Sequence, residues 1–173
     1  ASGGGGKGMR VVFNNDELEK SISAAKIESK KLFNDDEIYI EKFINNPKHI
    51  EIQILADHHG NVLTLGERDC SIQRNHQKLI EECPSLVLRE QQRHEISELC
   101  KKAVKSINYQ GVGTLEFLFK NNNFYFMEMN TRLQVEHPIT EMVTGLDLVK
   151  QQLSVANGDE LKIKQEDIKM TGH

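Results

Sequence analysis

Residues 113–138, GTLEFLFKNNNFYFMEMNTRLQVEHP, constrain the fold more than any other stretch of the chain. Two apolar runs flank the triplet Asn121, Asn122 and Asn123, and this spacing predicts a β-hairpin. A loop centred on Asn122 places Glu116 directly opposite Glu128, with both carboxylates on one face of the ribbon. Like charges facing each other destabilise a strand pair by part of the roughly 0.2–1 kcal/mol such pairs are worth. The arrangement makes sense with a positive group between them, and a hard divalent cation is the simplest one.

With 173 residues the chain is long enough for a real core. Its net charge of -4 creates no field toward nucleic acid or an anionic membrane, so any basic site must be local. No apolar run has the length of a membrane span. The cysteines Cys70, Cys83 and Cys100 lack C-x-x-C spacing and nucleophile signatures, which fits reduced thiols in a cytoplasm-like compartment, with a mitochondrial matrix as the other reducing option. Cys100 falls on a predicted helix stripe and reads as a small buried hydrophobe. The chain opens inside a glycine-rich loop with no strand before it and closes after a charged segment, so it is expected to be an excised part of a larger protein.

Hydrophobic periodicity predicts a short strand at 9–13 and a helix capped by Asn15 or Asp16, with Leu18, Ile22, Ala25 and Ile27 inward. Strands are predicted at 37–44 (EIYIEKFI), 50–56 (IEIQILA) and 62–65 (VLTL), with a turn at 58–61. The charged segment 67–82 shows little periodicity and reads as a long ordered loop or edge strand. Between 89 and 108, Ile96, Leu99, Cys100, Ala103, Val104 and Ile107 mark an amphipathic helix. After the hairpin come helices near 139–143 and 147–156, separated by Gly145 and stopped by Gly158. Mixed strands and helices with hairpins favour an α+β fold over a doubly wound parallel sheet. Residues 1–43 read as part of a small lid domain and 44–173 as a larger sheet domain.

Beyond Glu128 the alternation of Asn130, Arg132, Gln134 and Glu136 predicts extended backbone with these groups on one side. A solvated sheet face shows the same alternation; the opposed glutamates point instead to a site. Glu116, Glu128 and Asn130 offer oxygen ligands that suit Mg²⁺ or Mn²⁺ rather than zinc. Magnesium held by one or two carboxylates commonly shares phosphate ligands, and the backbone N–H groups of Gly3 to Gly6, Lys7 and Gly8 could close on phosphate oxygens, with Lys7 adding charge. The loop is not a Walker A motif, because Gly8 follows Lys7. A flexible linker is the plainer reading of the glycines alone.

Taken together, SGGGGKGMR, EKFINNPKHIEIQ, ERDCSIQRNHQK, GTLEFLF and EMNTRLQVEHPITEMVTG closely resemble the ATP-grasp region of biotin carboxylases, in the right order and over nearly the whole chain. RLQVEHP is specific to biotin-dependent carboxylases. The MNTR before it is more similar to the acetyl-CoA, propionyl-CoA and methylcrotonyl-CoA carboxylase group than to pyruvate carboxylases.

The resemblance implies an ATP-grasp fold and a ligase that joins ATP and bicarbonate through carboxyphosphate, then carboxylates biotin on a carrier protein. By it, Gly5 and Gly6 lie over the phosphates, while Glu41, Lys42, Phe43 and Ile44 form the adenine hinge. His49 and Gln73 border the nucleotide and His76 approaches the phosphates. Glu116, Glu128 and Asn130 hold the metal. Lys78, Arg132, Gln134 and the Val135 backbone bind bicarbonate, and Glu136 is the general base.

It further implies a carboxyltransferase component and a homodimeric parent, while the charge pattern and the lack of clustered basic and aromatic residues favour no nucleic-acid or membrane partner. Lysines that precede the glycines in the family, and a downstream arginine that binds biotin, are absent from this sequence. Little or no activity is therefore expected of the isolated chain. A carbamoyl phosphate synthetase or other ATP-grasp ligase, and a non-catalytic nucleotide-binding or assembly module, are the rival readings.

Overall fold

The computed structural model describes residues 8–173, so Gly5, Gly6 and Lys7 lie outside the described residues. Two compact units are present: a smaller one of residues up to Asn45 together with Gln73–Gln77, and a larger one of Asn46–Ile72 and Lys78–His173. Among the described residues no helix is long and apolar enough to cross a membrane.

In the smaller unit Asn14 accepts a hydrogen bond from the Glu17 N–H and caps a short 3₁₀ turn, one residue before the expected caps. The turn runs into α1, Leu18–Phe33, which ends at Asn34 in the left-handed conformation (φ 57°). Ala25 and Ser29 are buried and Leu18 and Ile22 half-buried, whereas Ile27 is exposed. Neither 9–13 nor 37–44 forms a strand. Alternation alone does not make a strand without a neighbour to complete its ladder. The aromatic rings of Phe13 and Phe43 instead meet edge to face at 5.9 Å.

The larger unit is built on a five-stranded sheet in the order β3-β2-β1-β4-β5. The strands are β1 Lys48–Ala56, β2 Val62–Arg74, β3 Gln77–Glu82, β4 Gly111–Lys120 and β5 Asn123–Asn130. β1 pairs antiparallel with β2 and β4, and β4 with β5. The segment expected to be a loop at 67–82 is therefore mostly strand. It turns through Asn75 and His76, both at positive φ, the backbone of a tight hairpin.

One sheet face is apolar: Ile50, Ile52, Ile54, Leu115, Phe117 and Phe119 pack with Ile96, Cys100 and Val104 of α2, Glu90–Ser106. Leu99 and Ile107, expected on that stripe, are exposed. The opposite face divides in two. Its apolar half, Leu55, Leu63, Leu65 and Val112, packs with Leu148 and Val155. These last two belong to α4, Leu148–Ala156, which follows α3, His137–Thr144. The other half is polar and carries the site.

Two bulges set that polar half. Near its turn, β1 pairs Ile54 with Thr64, but beyond Gln53 it pairs Ile52 with Glu67 and Glu51 with Arg68. Leu65 and Gly66 thus both face Gln53, and Gly66 takes φ +84°. An unbroken register would have set Glu67 against Glu51. In the β4–β5 hairpin the turn is Asn121-Asn122 alone, with Lys120 opposite Asn123 and Phe117 opposite Phe126. Met127 is the extra residue that brings Glu128 opposite Glu116. The predicted opposition is correct, but a bulge produces it rather than a three-residue loop.

Gly66→Ala should lower the unfolding free energy by about 1–2 kcal/mol, because a side chain is strained at that φ. Urea unfolding checks this, and unchanged stability would show that the bulge tolerates other backbone geometry.

Candidate functional site

Along β1, His49, Glu51 and Gln53 alternate with the core isoleucines, and on β4 Thr114 and Glu116 alternate with Leu115 and Phe117. Sequence alone makes such residues look solvent-facing. Glu51, Gln53, Arg68, Thr114 and Glu116 are nevertheless buried, because α3 and the loop before it cover them. Arg68 donates to Glu51 (2.5 Å), Gln53 (2.6 Å) and Thr140 of α3 (2.9 Å).

Lys78, next to the start of β3, reaches across β2 to three carboxylates: Glu51, Glu116 at 2.8 Å and Glu136 at 2.6 Å. Glu116 also accepts from Asn130 (2.9 Å) and Gln134 (2.9 Å), and its second oxygen lies 2.7 Å from His49 Nε2. Burial alone would push the Glu116 carboxyl up, but His49, Lys78 and Gln134 hold it down at about 2. Burial likewise opposes ionisation of Glu136, and the Lys78 hydrogen bond brings its carboxyl below the usual range. Burial disfavours the Lys78 ammonium, yet Glu51, Glu116 and Glu136 overcome this and raise its pKa.

The fold thus gathers His49, Lys78, Glu116, Asn130, Gln134 and Glu136 into one network. Glu128 stands opposite Glu116 but is exposed, with no side-chain hydrogen bond or ion pair among the described residues. Arg132 is also exposed, and its guanidinium donates to the Leu133 carbonyl. The Val135 side chain is 91% exposed. Glu41, Lys42, Phe43, Ile44, Gln73 and His76 belong to the smaller unit.

The expected extended run through Glu136 stops at Asn130, where β5 ends. The chain then turns: the His137 N–H and Nδ1–H both donate to the Gln134 carbonyl, and Pro138 sits in the first turn of α3. This turn, rather than strand alternation, brings Gln134 and Glu136 to the sheet. Sequence reasoning missed Glu51, Gln53, Arg68, Thr114 and Thr140. The one available signal was the alternation in IEIQILA, which reads the same for a wet face and a buried polar one.

The donor chemistry suits a hard cation: Glu116 and Glu128 face each other across the hairpin, and Asn130 adds an amide oxygen. His49, Glu51 and Glu116 also bring ligand atoms within 4.8 Å of one another, and here the positive group beside Glu51 and Glu116 is the Lys78 ammonium. The thiols are passive. Burial pushes Cys83 and Cys100 up to about 12 and moves Cys70 in the same direction.

Residues 1–164 match the family model of the carbamoyl-phosphate synthase L chain ATP-binding domain. The chain belongs to this family. Within it, the chain is 56% identical over 173 residues to the biotin carboxylase of Haemophilus influenzae, covering 100% of this chain and 39% of that protein. It also resembles the biotin carboxylase from Campylobacter jejuni solved as a β-γ-ATP complex, with a TM-score of 0.94 and 54% identity over 98% of this chain and 38% of that one.

A third relative is the biotin carboxylase domain dimer of Hydrogenobacter thermophilus 2-oxoglutarate carboxylase, solved with MgADP, ADP and bicarbonate. Its TM-score is 0.94 and its identity 51%, over 98% of this chain and 38% of that one. This member of the family thus spans about two fifths of the relatives it matches. Its α+β fold matches their ATP-grasp structures, and the biotin carboxylase resemblance read from the motifs agrees with these relatives rather than with the rival readings.

A carboxyl held below its ordinary value of 4.5 adds stability that is full above that pH and is lost as pH falls toward about 2. For Glu116 the amount is on the order of 3 kcal/mol. Unfolding free energy should therefore drop more steeply through this window in the wild type than in Glu116→Gln. Denaturant titrations at a series of pH values would show equal slopes if the network contributed nothing.

Proposed function

We propose that this chain supplies the metal- and bicarbonate-binding part of a biotin carboxylase centre. That enzyme uses ATP and bicarbonate to make carboxyphosphate and carboxylates biotin on a carrier protein. The observation that carries the reading is the Lys78 ammonium bonded to Glu116 on one side and Glu136 on the other. A cation, a metal-type ligand and a candidate base around one point support this reading.

In this reading Lys78 and Arg132 hold bicarbonate together with Gln134 and the Val135 backbone. Glu136 takes its proton. Lys78 keeps Glu136 ionised while the site waits; an anion that draws Lys78 toward itself weakens that hydrogen bond and raises the proton affinity of Glu136. The cation cluster then stabilises the deprotonated nucleophile. Mg²⁺, or Mn²⁺ in its place, held by Glu116, Glu128 and Asn130, would neutralise phosphate charge during transfer.

Gly5, Gly6 and Lys7 are assigned to the triphosphate. Glu41, Lys42, Phe43 and Ile44 are assigned to adenine, His49 and Gln73 to the nucleotide's border, and His76 to the phosphates. Residues 1–43 would be lid and 44–173 the sheet domain. A carboxyltransferase component, a homodimeric parent and a reducing, cytoplasm-like compartment complete the proposal.

Glu136→Gln, in the full-length polypeptide that carries these residues, should reduce bicarbonate-dependent ATP cleavage by about 10²–10⁴-fold. Mg·ATP affinity measured by calorimetry should stay unchanged. Full activity in the variant, or a wild type stimulated by ammonia rather than by biotin, would refute the proposal.

A further inference from the structure

Arg68 has no part in the roles above, yet no side chain in the larger unit is more enclosed: it is 0% exposed. Its Nε donates to one Glu51 oxygen, and the other Glu51 oxygen accepts from Lys78. Its Nη1 serves Gln53 and Thr140, and its Nη2 lies 3.4 Å from both Thr114 Oγ1 and Gln134 Oε1. The last contact fixes the Gln134 amide, whose Nε2 then faces Glu116.

Charge counting gives this geometry a consequence. Around Lys78 stand the carboxylates of Glu51, Glu116 and Glu136. Without Arg68 the single ammonium would face all three and would have little attraction left for an anion. With Arg68 bonded to Glu51, one of those charges is already answered. A planar guanidinium can span acceptors on two strands, the turn at Gln134 and α3 at once, whereas an ammonium at the end of a flexible stem cannot.

Building on the bicarbonate reading of this site, we infer that Arg68 is a positioning residue that sets bicarbonate affinity. By answering Glu51 and orienting Gln134, it leaves more of the Lys78 charge available to the substrate anion, since two carboxylates rather than three remain against the ammonium. It does so without touching the anion itself, so its effect belongs in the bicarbonate KM and not in that of ATP.

The test is bicarbonate-dependent ATP cleavage by the full-length polypeptide, with both KM values measured for the wild type, Arg68→Lys, Arg68→Met and Thr140→Val. Both Arg68 variants should raise the bicarbonate KM by about tenfold or more, since lysine cannot replace the fork. Thr140→Val removes one acceptor of Arg68 and should raise it roughly threefold. The ATP KM should stay within about twofold in each, given that interactions with distant groups are largely independent.

If the Arg68 variants do not fold, Thr140→Val still decides. An unchanged bicarbonate KM there, or a rise of both KM values together, overturns the inference. A wild type without bicarbonate dependence removes the functional reading, and this inference with it. An active wild type whose variants keep their bicarbonate KM removes the inference about Arg68 alone.

Discussion

The larger unit depends on the buried ion pair of Arg68 and Glu51. Both residues are 0% exposed, so each charge must find its partner inside the protein. The pairing exists because the β1–β2 register slips by one residue at Leu65 and Gly66. In the unslipped register Glu67 would oppose Glu51 and Arg68 would turn toward the apolar face. The slip sends Glu67 to that face instead, where Arg93 and the Ser85 N–H hold one of its oxygens. Its other oxygen is buried without a hydrogen-bond partner among the described residues, and burial raises the Glu67 pKa.

A second slip, at Met127, does for the hairpin what Gly66 does for β2: it turns a glutamate onto the site face. The sheet therefore combines an apolar face, an apolar half-face under α4 and a polar quarter that is closed over by α3 and the turn at Gln134. Burial raises the stakes of each contact in that quarter, since a carboxylate removed from water must be met by donors. Glu116 has four, which is why it remains ionised.

What the sequence disclosed follows from which forces are local. The hairpin, α2, the break at Gly145 and the start of α4 near Asp147 are written in short-range periodicity and turn chemistry. The opposition of Glu116 and Glu128 was legible as well, although a bulge achieves it. Residues 37–44 alternate as a strand does but have no neighbouring strand among the described residues, and residues 67–82 lack alternation yet lie mostly in β2 and β3, with 67–69 paired to β1. Pairing is a tertiary property, and it overrode the pattern in both directions. The family motifs supplied Lys78, Gln134 and Glu136. Arg68 and Glu51 stayed hidden, because nothing local separates a buried polar strand face from a wet one.

The most direct measurement of this arrangement is a ¹⁵N NMR titration of the lysine ammonium groups in the chain. Three surrounding carboxylates should keep Lys78 protonated at pH values where exposed lysines have lost their protons. Deprotonation of Lys78 together with the exposed lysines, or before them, would contradict the network on which the site is built.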